Sequence, residues 1–363
     1  MLKILNNDSS GIIEAVNELH NDNIVIFPTE TVYGIGANAF SKIAIQKIYQ
    51  LKKRPINNPL IVHILNWKMG KILTDLSESE NLIVNEIIKL WPGPLTILVK
   101  ASKYVIPELN NNSGLIGLRC PSHTIARTLI SKSNVPIAAP SANISGKTSS
   151  TCLDHINNHF ENNTNVKVIP DSKPCHYGVE STIIKIIDKS ISIVRPGIIL
   201  KSDIQNVINN LNFKVNIKDD IKSITQKDYP GSSITHYSID KNIKLVNFIE
   251  TSNLTDITDN KKYFNDINKG IDLYLENSIF VDFGCKNLEK KKKFLGYVDL
   301  SEKGDCLEAL YNLYNILHQL NNLECNNILI FNYFKNKDEY YQILYDRLFR
   351  CCSGKEMIIP VII

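Results

Sequence analysis

Cations next to chain breaks are the first residues here that could do chemistry. Lys52 and Arg54 come just before Pro55, Arg119 just before Cys120-Pro121, and Arg195 directly before Pro196-Gly197. A Lys or Arg at such a break either offsets a helix dipole or meets an anion, since ligands collect at the strand ends of α/β sheets. Ser141-Ala-Asn-Ile-Ser-Gly-Lys147-Thr148 approaches a P-loop, but Ser141 stands where the first glycine must wrap phosphate, which disfavours a Walker ATPase. The hydroxyls of Ser141 and Ser145 and the Asn143 amide still suit an anion. Gly34-Ile-Gly36-Ala-Asn-Ala39 matches a dinucleotide-binding turn in letters only. The six residues Pro28 to Tyr33 part it from the preceding strand, and Lys52, Lys53 and Arg54 stand where a ribose-binding acid would be sought. His63 sits in the apolar run Leu60-Ile-Val-His-Ile, as a core histidine does, and Glu180-Ser181-Thr182 opens another strand-like run. These cations and hydroxyls come without an evident nucleophile–base dyad, which equips the chain to position a polyanion rather than to form a covalent intermediate.

The elements that must position them alternate. Ile24 to Phe27, Leu60 to Ile64, Thr96 to Val99, Gly114 to Arg119, Ile137 to Ala139, Ser181 to Ile187 and Ser190 to Val194 read as strands. Ala44 to Leu51, Glu80 to Leu90 and His123 to Ser131 carry helical spacing, and an amphipathic stretch from Lys201 to Ile221 closes the unit. Lys227 to Ser238 has the Pro-Gly punctuation of an extended linker. The pattern then restarts with strands Lys244 to Ile249, Ser278 to Phe283 and Asn327 to Phe331 and helices Asp305 to Leu320 and Lys337 to Cys352, as in a small parallel sheet with crossover helices. The Lys290 to Lys293 run reads as a solvated loop.

Composition sets the bounds. The chain has 363 residues, 43% hydrophobic and 21% charged, which fits two globular domains and argues against disorder. The formal net charge of +4 is too mild to identify a nucleic-acid binder. No apolar run approaches the roughly 18 residues of a membrane span, and the amino-terminal stretch lacks a secretory apolar segment. The eight cysteines form no C-x-x-C pair, so the expectation is a soluble cytoplasmic chain with reduced thiols and no structural zinc.

The order of the segments is more specific than any one of them. Phe27-Pro-Thr-Glu-Thr-Val-Tyr-Gly-Ile-Gly-Ala-Asn-Ala39, Leu51-Lys-Lys-Arg-Pro55, Asn58-Pro-Leu-Ile-Val-His63, Trp91-Pro-Gly-Pro-Leu-Thr96 and Gly117-Leu-Arg-Cys-Pro121 are followed by Val135-Pro-Ile-Ala-Ala-Pro-Ser-Ala-Asn143, Gly178-Val-Glu-Ser-Thr182 and Val194-Arg-Pro-Gly197. Together they resemble the YrdC family, the threonylcarbamoyl-AMP synthases of tRNA modification, across Asp8 to Lys201. Pro230-Gly231, His236-Tyr237 and Asp346-Arg-Leu348 are similar to the family's long two-domain form. The resemblance implies a YrdC-type twisted mixed α/β domain with a concave basic cavity over residues 1–221, a linker over 222–242, and a smaller Rossmann-like α/β domain over 243–363.

It further implies that L-threonine, bicarbonate or carbon dioxide, and ATP yield L-threonylcarbamoyl-AMP and pyrophosphate, the adenylate passing to a separate tRNA-modifying complex. Lys52 and Arg54, the family's K-x-R pair, would be catalytic and hold the ATP phosphates. Asn58, Ser141, Asn143 and Ser149 would contact the nucleotide, with Arg195 against its adenosine. Arg119 would fork onto the threonine carboxylate, with Thr31, His63 and Ser181 around the amino acid. His236 and Tyr237 would belong to a linker lid. Magnesium would ride on the nucleotide without a carboxylate cage. The chain departs from the family pattern at Ser172 and Lys173, where two glycines are usual, and at Thr148 and Ser150, Ser232 and Ile239. Direct tRNA contact, oligomeric state and the role of the second domain stay open. The rival readings are a noncatalytic RNA-binding module with the same basic cavity, and a carbamoyl-transfer domain whose usual acylphosphatase and zinc segments the chain lacks.

Overall fold

The computed structural model describes residues 2–163, 166–219, 236–250, 272–332 and 338–361. Its chain divides into two compact units, Met1–Ser233 and Ile234–Ile363. The expected boundary at 221/222 and Pro230-Gly231 lie outside the described residues.

The first unit is built on a mixed sheet of β1 (Lys3–Ile4), β2 (Val25–Phe27), β3 (Gly34–Asn38), β4 (Ile61–His63), β5 (Leu95–Lys100), β6 (Leu115–Arg119), β7 (Ile137–Ala138), β8 (Lys167–Val168), β9 (Thr182–Ile187), β10 (Ser190–Arg195) and β11 (Asn216–Asp219). Its order is β1-β8-β2-β3-β7-β4-β6-β5-β9-β10-β11. The longer helices of this unit are α1 (Ser9–His20), α2 (Lys42–Lys52), α3 (Glu78–Ile87), α4 (Thr124–Ser133), α5 (Leu153–Phe160) and α6 (Lys201–Ile208). Strand alternation sorts the sheet into two faces. Leu60, Val62 and Ile64, then Ile116 and Leu118, then Leu95, Ile97 and Val99, point into the main core with Ile83, Val84 and Ile87 of α3. Leu19 of α1 and Leu129 of α4 pack with Val25, Phe27 and Ile137 in a separate core.

Three segments are sharper in the structure than in the sequence. The Gly34–Asn38 segment is a strand antiparallel to β2, with Phe27 opposite Gly34, so it is no phosphate turn. Gly36 is required there, because a Cβ would meet Phe27 Cε1 at 2.6 Å and Ile137 Cγ2 at 2.8 Å. The amphipathic stretch from Lys201 stops being helical at Ile208, and Asn216–Asp219 pairs parallel with β10. Helix α1, absent from the sequence reading, is capped by Asp8, whose side chain accepts from the Ser10 and Gly11 N–H groups.

The second unit carries a wholly parallel sheet of β12 (Asn242–Glu250), β13 (Ser278–Asp282), β14 (Gly296–Asp299), β15 (Asn327–Phe331) and β16 (Glu356–Val361), in the order β14-β13-β15-β12-β16. Its long helices are α7 (Cys306–Asn322) and α8 (Glu339–Cys351). The sequence places β12, β13, β15, α7 and α8 to within a few residues and misses β14 and β16, and the expected helix start at Lys337 lies outside the described residues. Lys290–Lys293 close a short 3₁₀ turn, with Lys291, Lys292 and Lys293 exposed to solvent.

Candidate active site

One row of the sheet carries four of the predicted residues. His63 on β4 is level with Arg119 on β6, Arg119 with Thr96 on β5, Thr96 with Ile183 on β9, and Ile183 with Arg195 on β10. Residues level with one another share a face, so His63, Arg119, Thr96 and Arg195 line one surface and Ser181, two before Ile183, joins them. Arg195 gets there through a register shift between Ile193 and Arg195, as a bulge re-aims a side chain. Ile61, Leu98, Leu115, Ile183 and Val194 form an apolar cluster on the same face.

The row is knitted by polar contacts. Ser181 Oγ meets Thr96 Oγ1 at 2.8 Å and accepts from Arg195 Nη2 at 3.1 Å, while Arg195 Nε donates to the Ser181 carbonyl at 3.0 Å. Gly197 allows this closeness, since a Cβ there would lie 2.4 Å from the Thr182 nitrogen. Arg119 Nη2 donates to Glu30 Oε1 at 2.6 Å, and the other Glu30 oxygen accepts from the Ser122 N–H at 3.2 Å. Among the described residues, Arg119 Nε and His63 Nδ1 are buried without a hydrogen-bond partner. Burial, and secondarily the Arg119 charge, push the His63 imidazole down to about 3, so it is neutral at ordinary pH.

The second half is assembled by the end of α2. Lys53 caps the helix in the left-handed region, φ 50°, and turns the chain so that Lys52 and Arg54 are buried while Lys53 is exposed. Lys52 Nζ donates to the Ser141 carbonyl at 2.6 Å and to the Asn143 carbonyl, and the Ser145 N–H donates to the Lys52 carbonyl at 2.9 Å. Ser141 in turn bridges Gly34 of β3, and its hydroxyl donates to Asn143 Oδ1 at 2.6 Å. Arg54 folds onto Asn58, with Nη2 2.5 Å from Oδ1 and Nε 3.0 Å from the carbonyl, and reaches the Pro59 carbonyl at 2.8 Å. Burial, then the Arg54 charge, drives the Lys52 ammonium well below its usual range, with Glu180 opposing. Burial also lowers Arg54 to about 10, Tyr49 opposing and Arg195 adding.

Glu180 and Ser181 join the halves. Ser149 Oγ donates to Glu180 Oε1 at 2.6 Å, and the next residue is Ser181 of the row. Thr31 Oγ1 lies 2.9 Å from Thr29 Oγ1 in the segment that carries Glu30. Two acids, Glu30 and Glu180, therefore belong to the site although the sequence reading assigned them nothing; each stood inside a quoted motif, flanked by hydroxyl residues. His236 and Tyr237 fall in the second unit, where Tyr237 is fully buried, stacked on Tyr314 with ring centres 5.3 Å apart, and has the Arg347 guanidinium 5.4 Å from its ring centre.

Comparison with known proteins adds the following. A family model described as Telomere recombination, covering Sua5, YciO and YrdC, matches residues 17–197. A threonylcarbamoyl-AMP synthase of Pyrococcus abyssi is 35% identical over 225 residues, 62% of this chain and 64% of that protein, so the match spans just under two thirds of the relative's length. A putative threonylcarbamoyl-AMP synthase of Methanocaldococcus jannaschii is 38% identical over 182 residues, 50% of this chain and 83% of the relative. A crystal structure of P. abyssi Sua5 complexed with L-threonine superposes with a TM-score of 0.80 at 25% identity, covering 99% of both chains.

Proposed function

Because the chain belongs to the Sua5, YciO and YrdC family, we propose that it is an L-threonylcarbamoyladenylate synthase, joining L-threonine, bicarbonate or carbon dioxide and ATP into threonylcarbamoyl-AMP with release of pyrophosphate. The observation that carries this reading is the juxtaposition just described. A buried guanidinium with an unsatisfied Nε lies in the row that ends at Arg195, and Ser181–Glu180 ties that row to the segment Lys52 organises.

In this reading Arg119 receives the threonine carboxylate, and Thr31, neutral His63 and Ser181 surround the rest of the amino acid. Asn58, Ser141, Asn143 and Ser149 contact the nucleotide, and Arg195 lies against its adenosine. The threonine carbamate attacks the α-phosphate while pyrophosphate leaves, so negative charge grows on phosphate oxygens. Arg54 stabilises it as a fixed cation. Lys52 acts in two ways, as a charge and as the clamp on the Ser141 and Asn143 carbonyls that shapes the phosphate loop. Burial excludes water from the mixed anhydride. The hard oxygen donors at hand, hydroxyls, carbonyls and the Glu180 carboxylate, fit magnesium, which when bound on the triphosphate neutralises its charge. The assignment of His236 and Tyr237 to a linker lid rests on the resemblance alone; within the second unit the Tyr237 ring packs against Tyr314 and the Arg347 guanidinium. The product passes in the cytoplasm to a separate complex that modifies tRNA. No helix among the described residues is long and apolar enough to cross a membrane.

Incubation with ATP, L-threonine and bicarbonate tests the reading. Pyrophosphate release that needs all three, with an adenylate of the expected mass, is the expected result. RNA binding without threonine-dependent release would replace it with the noncatalytic alternative.

A further inference from the structure

The ion pair between Arg119 and Glu30 is the deepest charged contact in the row, with both side chains 5% exposed. A buried pair of this kind is poor evidence for stability, because desolvation offsets most of the attraction. Its surroundings point to a ligand instead. Arg119 Nε and His63 Nδ1 are buried without partners among the described residues, and such atoms call for an explanation. His63, being neutral, brings no charge of its own. The local balance is therefore one guanidinium against one carboxylate.

We propose that Glu30 is the ammonium-binding residue of the amino-acid subsite and selects a zwitterionic α-amino acid over the corresponding 2-hydroxy acid. This rests on the amino-acid-binding reading of the site given above. A ligand carboxylate placed on Arg119 alone would leave two buried anions on one cation. A zwitterion brings its own cation, so each buried charge faces an opposite one. Glu30 has the acceptor capacity for this: Oε1 takes one bond from Arg119 and Oε2 one from the Ser122 N–H, and each carboxylate oxygen has a second lone pair. It is also held ready. Thr29 Oγ1 accepts the Thr31 and Val32 N–H groups and donates to the Val32 carbonyl, while the Glu30 carbonyl accepts the Tyr177 N–H at 2.9 Å, so the backbone carrying Glu30 is anchored on both sides. A 2-hydroxy acid would leave Glu30 without its cation, the repulsive element from which specificity is built.

The experiment compares binding of L-threonine and of 2,3-dihydroxybutanoate, its 2-hydroxy counterpart, by calorimetry to the intact chain and to the E30Q and E30D variants. Wild type should bind threonine at least about 10-fold more tightly, the scale of one charge-assisted contact. E30Q should lose that factor for threonine and keep or improve its affinity for the hydroxy acid; E30D, which keeps the charge, should restore part of the preference. Equal affinities in wild type overturn the proposal without recourse to any variant, so a variant that fails to fold does not shield it. Parallel weakening of both ligands in E30Q also overturns it, because that is what mere orientation of Arg119 would produce. If threonine does not bind wild type at all, the synthase reading falls together with this one.

Discussion

His63 gives the sharpest test, because its environment sets both the sign and the size of a pH effect. Its imidazole is buried edge-on to Phe27, with ring centres 6.2 Å apart, and its pKa falls from 6.5 to about 3. In the unfolded chain the ring binds a proton below pH 6.5; in the folded chain it does not until about pH 3. Between those values the unfolded state holds more protons, so acid favours unfolding and stability rises with pH. At 1.36 kcal/mol per unit, lowering the pH from 7 to 5 should cost the fold about 2 kcal/mol through this residue alone. His63→Gln removes the titration, so the stability difference between wild type and variant should shift by that amount between pH 7 and 5, whatever its value at pH 7. Urea unfolding followed by tryptophan fluorescence reports the right unit, since both tryptophans, Trp67 and Trp91, lie in the first. Parallel pH profiles for the two proteins would mean that the folded His63 titrates normally, and the argument for a neutral imidazole beside the amino acid would fail.

Two substitutions separate the halves of the site. Arg54→Ala should lower turnover about 100-fold or more, the usual loss when one transition-state donor is removed, and steady-state pyrophosphate release near the wild-type rate would take Arg54 out of the phosphate site. Arg119→Ala should raise the KM for threonine by about 10- to 150-fold, equivalent to about 1.5–3 kcal/mol, with little change for ATP. It should also destabilise the fold by about 3–5 kcal/mol by leaving the Glu30 carboxylate buried without its cation, so assays belong well below the variant's melting temperature. An unaltered threonine KM contradicts the assignment.

What was legible in the sequence was whatever a local pattern encodes. Leu60 to Ile64 and Gly114 to Arg119 announce themselves as apolar runs that carry one polar residue each, and Lys52 to Pro55 as a helix that must stop. Pairings were not legible. Arg119 and Glu30 are 89 residues apart, and no spacing rule links an arginine at one strand end to an acid in a loop between two other strands. Glu180 and Ser149, 31 residues apart, escaped for the same reason. The Arg195 register shift needed both strands in view, because a single strand's alternation would have placed Val194 opposite Ile183. The amphipathic stretch from Lys201 to Ile221 was undecided for a different reason. The apolar spacing continues past Ile208 at a period that a short strand beside β10 satisfies as well as a helix does, and only the neighbouring strand decides.

Under the proposed function, the contrast between the two halves accounts for one site taking two unlike ligands. Lys52 and Arg54 rest on carbonyl and amide oxygens, which orient the cations without neutralising them, and burial makes carrying those charges costly for the free chain. A polyanion relieves that cost, so its binding draws on destabilisation already present in the fold. Arg119 instead rests on a carboxylate and is locally neutral, a poor host for a bare anion and a good one for a molecule with both charges. Since Ser181 and Glu180 join these regions through adjacent residues, the proposed site would hold a neutral ligand beside a charged one without the neutral ligand's subsite acquiring excess positive charge. Neutralising Lys52 or Arg54 should therefore weaken ATP far more than threonine, and neutralising Glu30 should do the reverse.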